Sequence, residues 1–168
     1  DRIRDAVRGG GPFDADPRLQ GFGTGLFTAP NAAQGNGSAS VQRDRLLLYT
    51  DWIQVSLAGG LREFAFTSAR SGRPTLGRDV DYNGSSAAYA DAPDEVLNYV
   101  DAHDNETLFD AVNLKLPLRA TMAERIRANL LCLAVPTLGQ SPVMWHAGTD
   151  FLRSKSFDRN SYDSGDWF

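Results

Sequence analysis

The chain has 168 residues, 42% of them hydrophobic and 23% charged, with a formal net charge of −4. Those proportions fit one globular domain and lack the basic excess that a nucleic-acid partner needs. No run approaches the roughly 18 apolar residues of a membrane span, and no signal-peptide pattern is visible.

In chain order, the first forty residues read as loop. Five glycines and two prolines fall between Gly9 and Gly23, and AAQGNGSAS continues in the same style. A stretch of that length without periodicity is unusual in a compact domain, where loops beyond about 12–15 residues tend to be functional. Leu46, Tyr49, Ile53 and Leu57 then recur at helical spacing, so a helix is expected over Arg43 to Leu57, stopped by Gly59-Gly60. LREFAF reads as a short strand or a helix end, and residues 67 to 93 return to turn chemistry. Val96 to Val100 reads as a buried strand.

Thr107 to Leu116 has the length of a short helix. Thr121-x-x-Glu124 is a capping box, in which the threonine oxygen takes one orphan amide and the glutamate returns to another. Met122, Ile126, Leu130 and Leu133 share a face of the helix that follows, and Pro136 is expected to end it. Pro142 to Trp145 is a second short apolar strand, followed by a polar tail. Strand, helix, strand in that order is one β/α/β unit. The single cysteine, Cys132, sits in LLCLAV and reads as a buried structural thiol.

The chemistry concentrates at His103-Asp104-Asn105, directly after the first expected strand. Strand C-termini open onto the ligand face of α/β folds, where an aspartate serves as nucleophile, base or electrostatic stabiliser. The competing reading is a strand end whose Asp104 or Asn105 caps the next helix, and spacing alone favours it. His146 and Asp150 follow the second strand, but neither histidine has a second ligand at a recognised metal spacing. No G-x-S-x-G elbow and no phosphate-loop lysine is present. In the tail, Arg153, Lys155, Asp158, Arg159, Asp163 and Asp166 lie among Tyr162, Trp167 and Phe168. That mixture suits either stacking and hydrogen bonding on a sugar or a solvated loop.

Four stretches carry a resemblance: DRIRDAVRGGGPFD from Asp1, DVDYNGSSAAYADAPDEVLNYVDAHDNETLFD from Asp79, LGQSPVMWHAGTDFLRSKSFDRNSYDSGDWF from Leu138 and, more weakly, the expected helix between the last two. They resemble pullulanase-type α-1,6-glucosidases, the starch, glycogen and pullulan debranching enzymes of the α-amylase superfamily. The resemblance implies an α/β fold in which residues 1–168 are the C-terminal portion, about strands 6–8, of a TIM-type (β/α)₈ barrel with long βα loops. Val96 to Val100 and Pro142 to Trp145 would be its seventh and eighth strands.

The family retains configuration with an aspartate nucleophile and a glutamate acid/base, two carboxyls about 5–5.5 Å apart. By the resemblance both lie outside this chain, so the chain alone is expected to be inactive. Asp104 matches the third acidic residue, which stabilises the oxocarbenium-like transition state. His103 and Asn105 match groups at the same sugar, and Asp166 matches the aspartate that holds the next one. The implied partner is an α-glucan. No cofactor is required, and calcium in the intact parent is compatible with the family without being indicated by these residues. An extracellular or cell-surface setting also follows from the family. The alternatives are an isoamylase or limit-dextrinase type of debrancher, and a carbohydrate-binding segment without catalysis.

Overall fold

In a computed structural model, which describes residues 1–11 and 14–165, four α-helices build the core and irregular chain builds most of the rest. The helices are α1 (Arg2–Arg8), α2 (Ala39–Leu57), α3 (Leu108–Lys115) and α4 (Met122–Thr137). Two antiparallel pairs accompany them: β1 (Ala65–Thr67) with β2 (Pro74–Leu76), and β3 (Asp81–Tyr82) with β4 (Ser85–Ser86). Among the described residues no helix is long and apolar enough to cross a membrane.

The loop expected over the first residues contains α1, the most enclosed helix of the fold. Ile3, Ala6 and Val7 enter the main apolar cluster, but Arg4, Asp5 and Arg8 are buried too. They are tolerated because they are paired. Arg4 Nε donates to Asp5 Oδ1 at 2.9 Å, and the Tyr82 hydroxyl donates to Asp5 Oδ2 at 2.6 Å. The helix stops at Gly9, whose φ is +91°. A Cβ there would lie 2.2 Å from the Gly21 amide nitrogen, so the chain crosses itself backbone to backbone at a point only glycine allows.

α2 starts four residues before the expected Arg43, because Ser38 caps it by accepting the Val41 amide. Tyr49 and Ile53 face the core as expected. Trp52 joins them: its ring meets Tyr49 and Tyr82 at centroid separations of 5.1 and 4.8 Å, and its Nε1 donates to the Asp81 carbonyl. Thr121 caps α4 with the complete box that its sequence predicts, and α3 is capped by Thr107 rather than by Asp104 or Asn105. α4 runs one residue past Pro136, which is accommodated inside its last turn.

The inward face of α4 differs from the expected one. Ala128, Asn129, Cys132 and Leu133 point in, while Met122 and Leu130 are exposed. Asn129 outcompetes an apolar side chain for the interior because its Nδ2 donates to the buried Thr149 carbonyl at 3.0 Å. On the outward side Leu130, Leu138 and Trp145 line an apolar groove of about 400 Å³.

The expected portion of a (β/α)₈ barrel is not what these residues form. Among the described residues the only sheets are the two two-stranded antiparallel pairs, so the α/β barrel expectation is overturned. The segments 96–100 and 142–145 are extended and parallel, yet they share a single bridge between Asn98 and Val143. The Asn98 amide donates to the Pro142 carbonyl and the Met144 amide to the Asn98 carbonyl, each at 2.9 Å. The pairing goes no further for a physical reason. Pro142 has no amide to give, and the Val96 amide turns back to the Pro93 carbonyl at 3.3 Å. Within 96–100, Val96, Asn98 and Val100 are buried and Leu97 is exposed, the two-residue alternation of an extended segment.

Candidate functional site

The residues around His103 divide into an exposed tip and a buried frame. His103 and Asp104 sit on the turn between Asp101 and α3, with side chains 83% and 78% exposed. His103 Nε2 lies 3.5 Å from Asp104 Oδ1, an electrostatic contact longer than a good hydrogen bond. Asn105 follows with φ +60°, a left-handed conformation that asparagine adopts more readily than most residues. The cap of α3 is Thr107, which accepts the Asp110 amide at 3.2 Å. Asp104 and Asn105 do not cap it, so the plainest reading of the motif fails.

Buried polar groups hold the two ends of this turn. Asp101 Oδ2 accepts the Leu108 amide and the Thr149 hydroxyl, each at 2.9 Å. Arg8 donates to the Glu106 carbonyl at 3.3 Å, and Arg159 Nε lies 2.7 Å from Glu106 Oε1. Asp110 accepts the Ser154 hydroxyl at 2.5 Å on one oxygen and the Lys155 amide at 2.8 Å on the other. The polar tail is therefore not a solvated strand of charges. Its segment 154–161 is fastened to the first turn of α3.

Between tip and tail lies a cleft of about 310 Å³, lined by His103, Asp104, His146, Arg153, Arg159 and Tyr162 among others. Arg153 Nη1 is 3.4 Å from both ring nitrogens of His146. One nitrogen cannot point in plane at both, so the guanidinium lies over the imidazole. Burial holds the His146 pKa below its ordinary 6.5, with Arg153 pushing the same way and Asp101 opposing. Burial therefore favours the neutral imidazole, whose two nitrogens can donate and accept. The cleft offers one carboxylate, guanidinium donors, two imidazoles and a phenol ring that is 96% exposed, groups able to hydrogen-bond and stack on a hydroxyl-rich ligand.

Among the described residues, four of the six non-glycine residues with positive φ, Asn105, Leu152, Ser156 and Phe157, belong to the two segments that form this cleft. Left-handed backbone at such residues persists only where the surroundings impose it, and it clusters at functional sites. Among the described residues no group of three or more His, Cys, Asp or Glu side chains is placed to hold a metal. Asp166, the other residue singled out for ligand contact, lies outside the described residues.

Three residues that the sequence left unremarked as a frame, Asp101, Asp110 and Lys155, carry much of the geometry. The Thr107 cap went unread in the sequence, and the second use of Asp110 to grip residues 154–155 had no local signal.

No family model matches the chain. Pullulanase of Klebsiella pneumoniae is 43% identical over 171 residues, an alignment covering all of this chain and 15% of that protein. The chloroplastic Pullulanase 1 of Arabidopsis thaliana is 45% identical over 169 residues, again all of this chain and 17% of the relative. Among solved structures, the maltotriose complex of PulA from Klebsiella pneumoniae superposes with a TM-score of 0.92 at 40% identity, covering 99% of this chain and 18% of that one. In sequence and in fold, the whole of this chain is similar to one segment of pullulanases, and it spans 15–17% of the length of those two curated relatives.

Proposed function

We propose that residues 1–168 are part of the catalytic domain of a pullulanase-type α-1,6-glucosidase and form one wall of its glucan site. The observation that carries this reading is the similarity of the whole chain to pullulanases, at 43–45% identity. The cleft is consistent with it, because its exposed carboxylate, guanidinium groups and phenol can hydrogen-bond and stack on a sugar. Asp104 is the transition-state stabiliser. A carboxylate beside the oxocarbenium-like centre binds developing positive charge more strongly than it binds the neutral ground state, which lowers the barrier. His103 and Asn105 hydrogen-bond the same sugar, and Asp166 holds the next one. The nucleophile and the acid/base come from residues outside this chain, so residues 1–168 bind an α-glucan without cleaving it.

Two measurements test this. Purified residues 1–168 are expected to release no reducing ends from pullulan, and release would sink the assignment. In the longer polypeptide carrying this chain, Asp104→Asn is expected to lower kcat on pullulan by about 10²–10³, the usual cost of losing one electrostatic stabiliser. An unchanged kcat would remove Asp104 from the role.

A further inference from the structure

Lys155 is 1% exposed and heads the large side chains that are fully buried. Its neighbours in sequence are charged and polar, so a solvated lysine was the natural expectation. A buried ammonium persists only with partners, and its partners are specific. Nζ donates to the His103 carbonyl and to the Ser161 hydroxyl, each at 3.0 Å. Its own amide is held by Asp110 in the first turn of α3. Chain and hydrogen bonds close a ring: His103, Lys155, Asp110, back along α3 to its cap Thr107, and through Asn105 and Asp104 to His103.

The His103 carbonyl oxygen belongs to the peptide unit that joins His103 to Asp104. That unit is planar, so holding its oxygen also sets the direction in which the Asp104 amide and the following Cα leave the turn. The bond to Ser161 places the same ammonium against the opposite wall of the cleft, next to Tyr162. A lysine suits this position because it carries three donors on an unbranched stem, enough for two acceptors on different segments. Asp158, Arg159, Asp104 and Glu106 are the other charged groups of these two segments.

We propose that Lys155 is a positioning residue that aims the Asp104 carboxylate by gripping the His103–Asp104 peptide and sets the spacing of the cleft through Ser161. What Asp104 does once aimed rests on the function proposed above; the grip itself does not.

The test uses Lys155→Met in the full chain, which keeps the stem and removes every donor. Amide hydrogen exchange at Asp104 to Glu106 is expected to accelerate by about tenfold or more, with α2 and α4 unchanged. Maltotriose is expected to bind about tenfold more weakly. Unaltered exchange at those three amides overturns the proposal. If Lys155→Met does not fold, Ser161→Ala decides instead, since it leaves the ammonium with one acceptor; exchange at Asp104 is expected to rise about threefold, and no change overturns the proposal. Asp104→Asn, made in the longer polypeptide carrying this chain, separates the two readings. If that variant binds and cleaves normally while Lys155→Met loosens the turn, the functional reading falls and the grip stands. If Asp104→Asn is impaired while exchange in Lys155→Met is unaltered, the grip alone falls.

Discussion

Thr149 donates its hydroxyl at 2.9 Å to the same Asp101 oxygen that accepts the first amide of α3. One buried carboxylate oxygen therefore ties the end of the 96–100 segment, the start of α3 and the turn after 142–145 into a single joint. Asp101→Ala orphans a buried amide and a buried hydroxyl together and is expected to cost about 2–4 kcal/mol. Asp101→Asn keeps an acceptor oxygen and should cost less than half of that. Urea unfolding of the two variants measures the difference, and equal losses would contradict this account.

The cap on the next helix turn is a smaller term. Thr107→Ala removes the acceptor for the Asp110 amide and is expected to cost about 1 kcal/mol, while Thr107→Ser should be close to neutral. The same denaturation series checks both.

Lys115 gives a stability that depends on pH. Its Nζ donates to the Pro17 and Leu19 carbonyls at 2.9 and 2.7 Å. Burial first, and the nearby Arg8 charge second, pull its pKa from 10.5 down to about 7. Between those values the unfolded chain keeps a proton that the native chain has released. Stability from this group therefore rises with pH above about 7 and is lost as pH falls through about 7, with a limiting slope of about 1.4 kcal/mol per pH unit. Tyr49 and Cys132, both pushed up to about 12 by burial, act in the opposite sense at alkaline pH. The comparison of the native chain with Lys115→Met is therefore best made between about pH 7 and 8.5, below the ordinary titration ranges of those groups. The variant should show the flatter profile.

His146 should titrate by NMR with a midpoint below the ordinary histidine value, because burial disfavours its charged form. Arg153→Gln removes an opposing positive charge and should raise that midpoint; Asp101→Asn removes a favourable negative one and should lower it. Shifts in the reverse directions would mean that the guanidinium does not lie over the ring.

Cys132 is fully buried, and a Cβ added at Gly23 would come 2.5 Å from its sulfur. Gly23→Ala is expected to destabilise by about 1–3 kcal/mol through overpacking. The thiol itself should resist alkylation until the chain unfolds, since the reactive thiolate is suppressed.

What could be read from the sequence follows the range of the forces involved. The cap at Thr121 was legible because its box is written within three residues, whereas the cap of α3 was expected at Asp104 or Asn105 and lies at Thr107. α1 was not legible, because seven residues show no useful period and the burial of Arg4 and Asp5 depends on Tyr82, 77 positions from Asp5. The extended character of 96–100 was legible from its short apolar run. Whether it joins a ladder was not, because that depends on amides such as the one Pro142 lacks. At the site, His103 and Asp104 stood out as residue types, whereas their frame rests on contacts spanning 45–52 residues between Asp110, Lys155 and His103. No short pattern encodes such contacts.

The outward groove of α4 bears on how the protein behaves in a tube. Leu130, Leu138 and Trp145 meet water at its rim, and attraction between such surfaces strengthens with sulfate and weakens on cooling. Ammonium sulfate should therefore drive these molecules together at concentrations where chloride leaves them dispersed, and a cold, low-sulfate buffer should keep them apart.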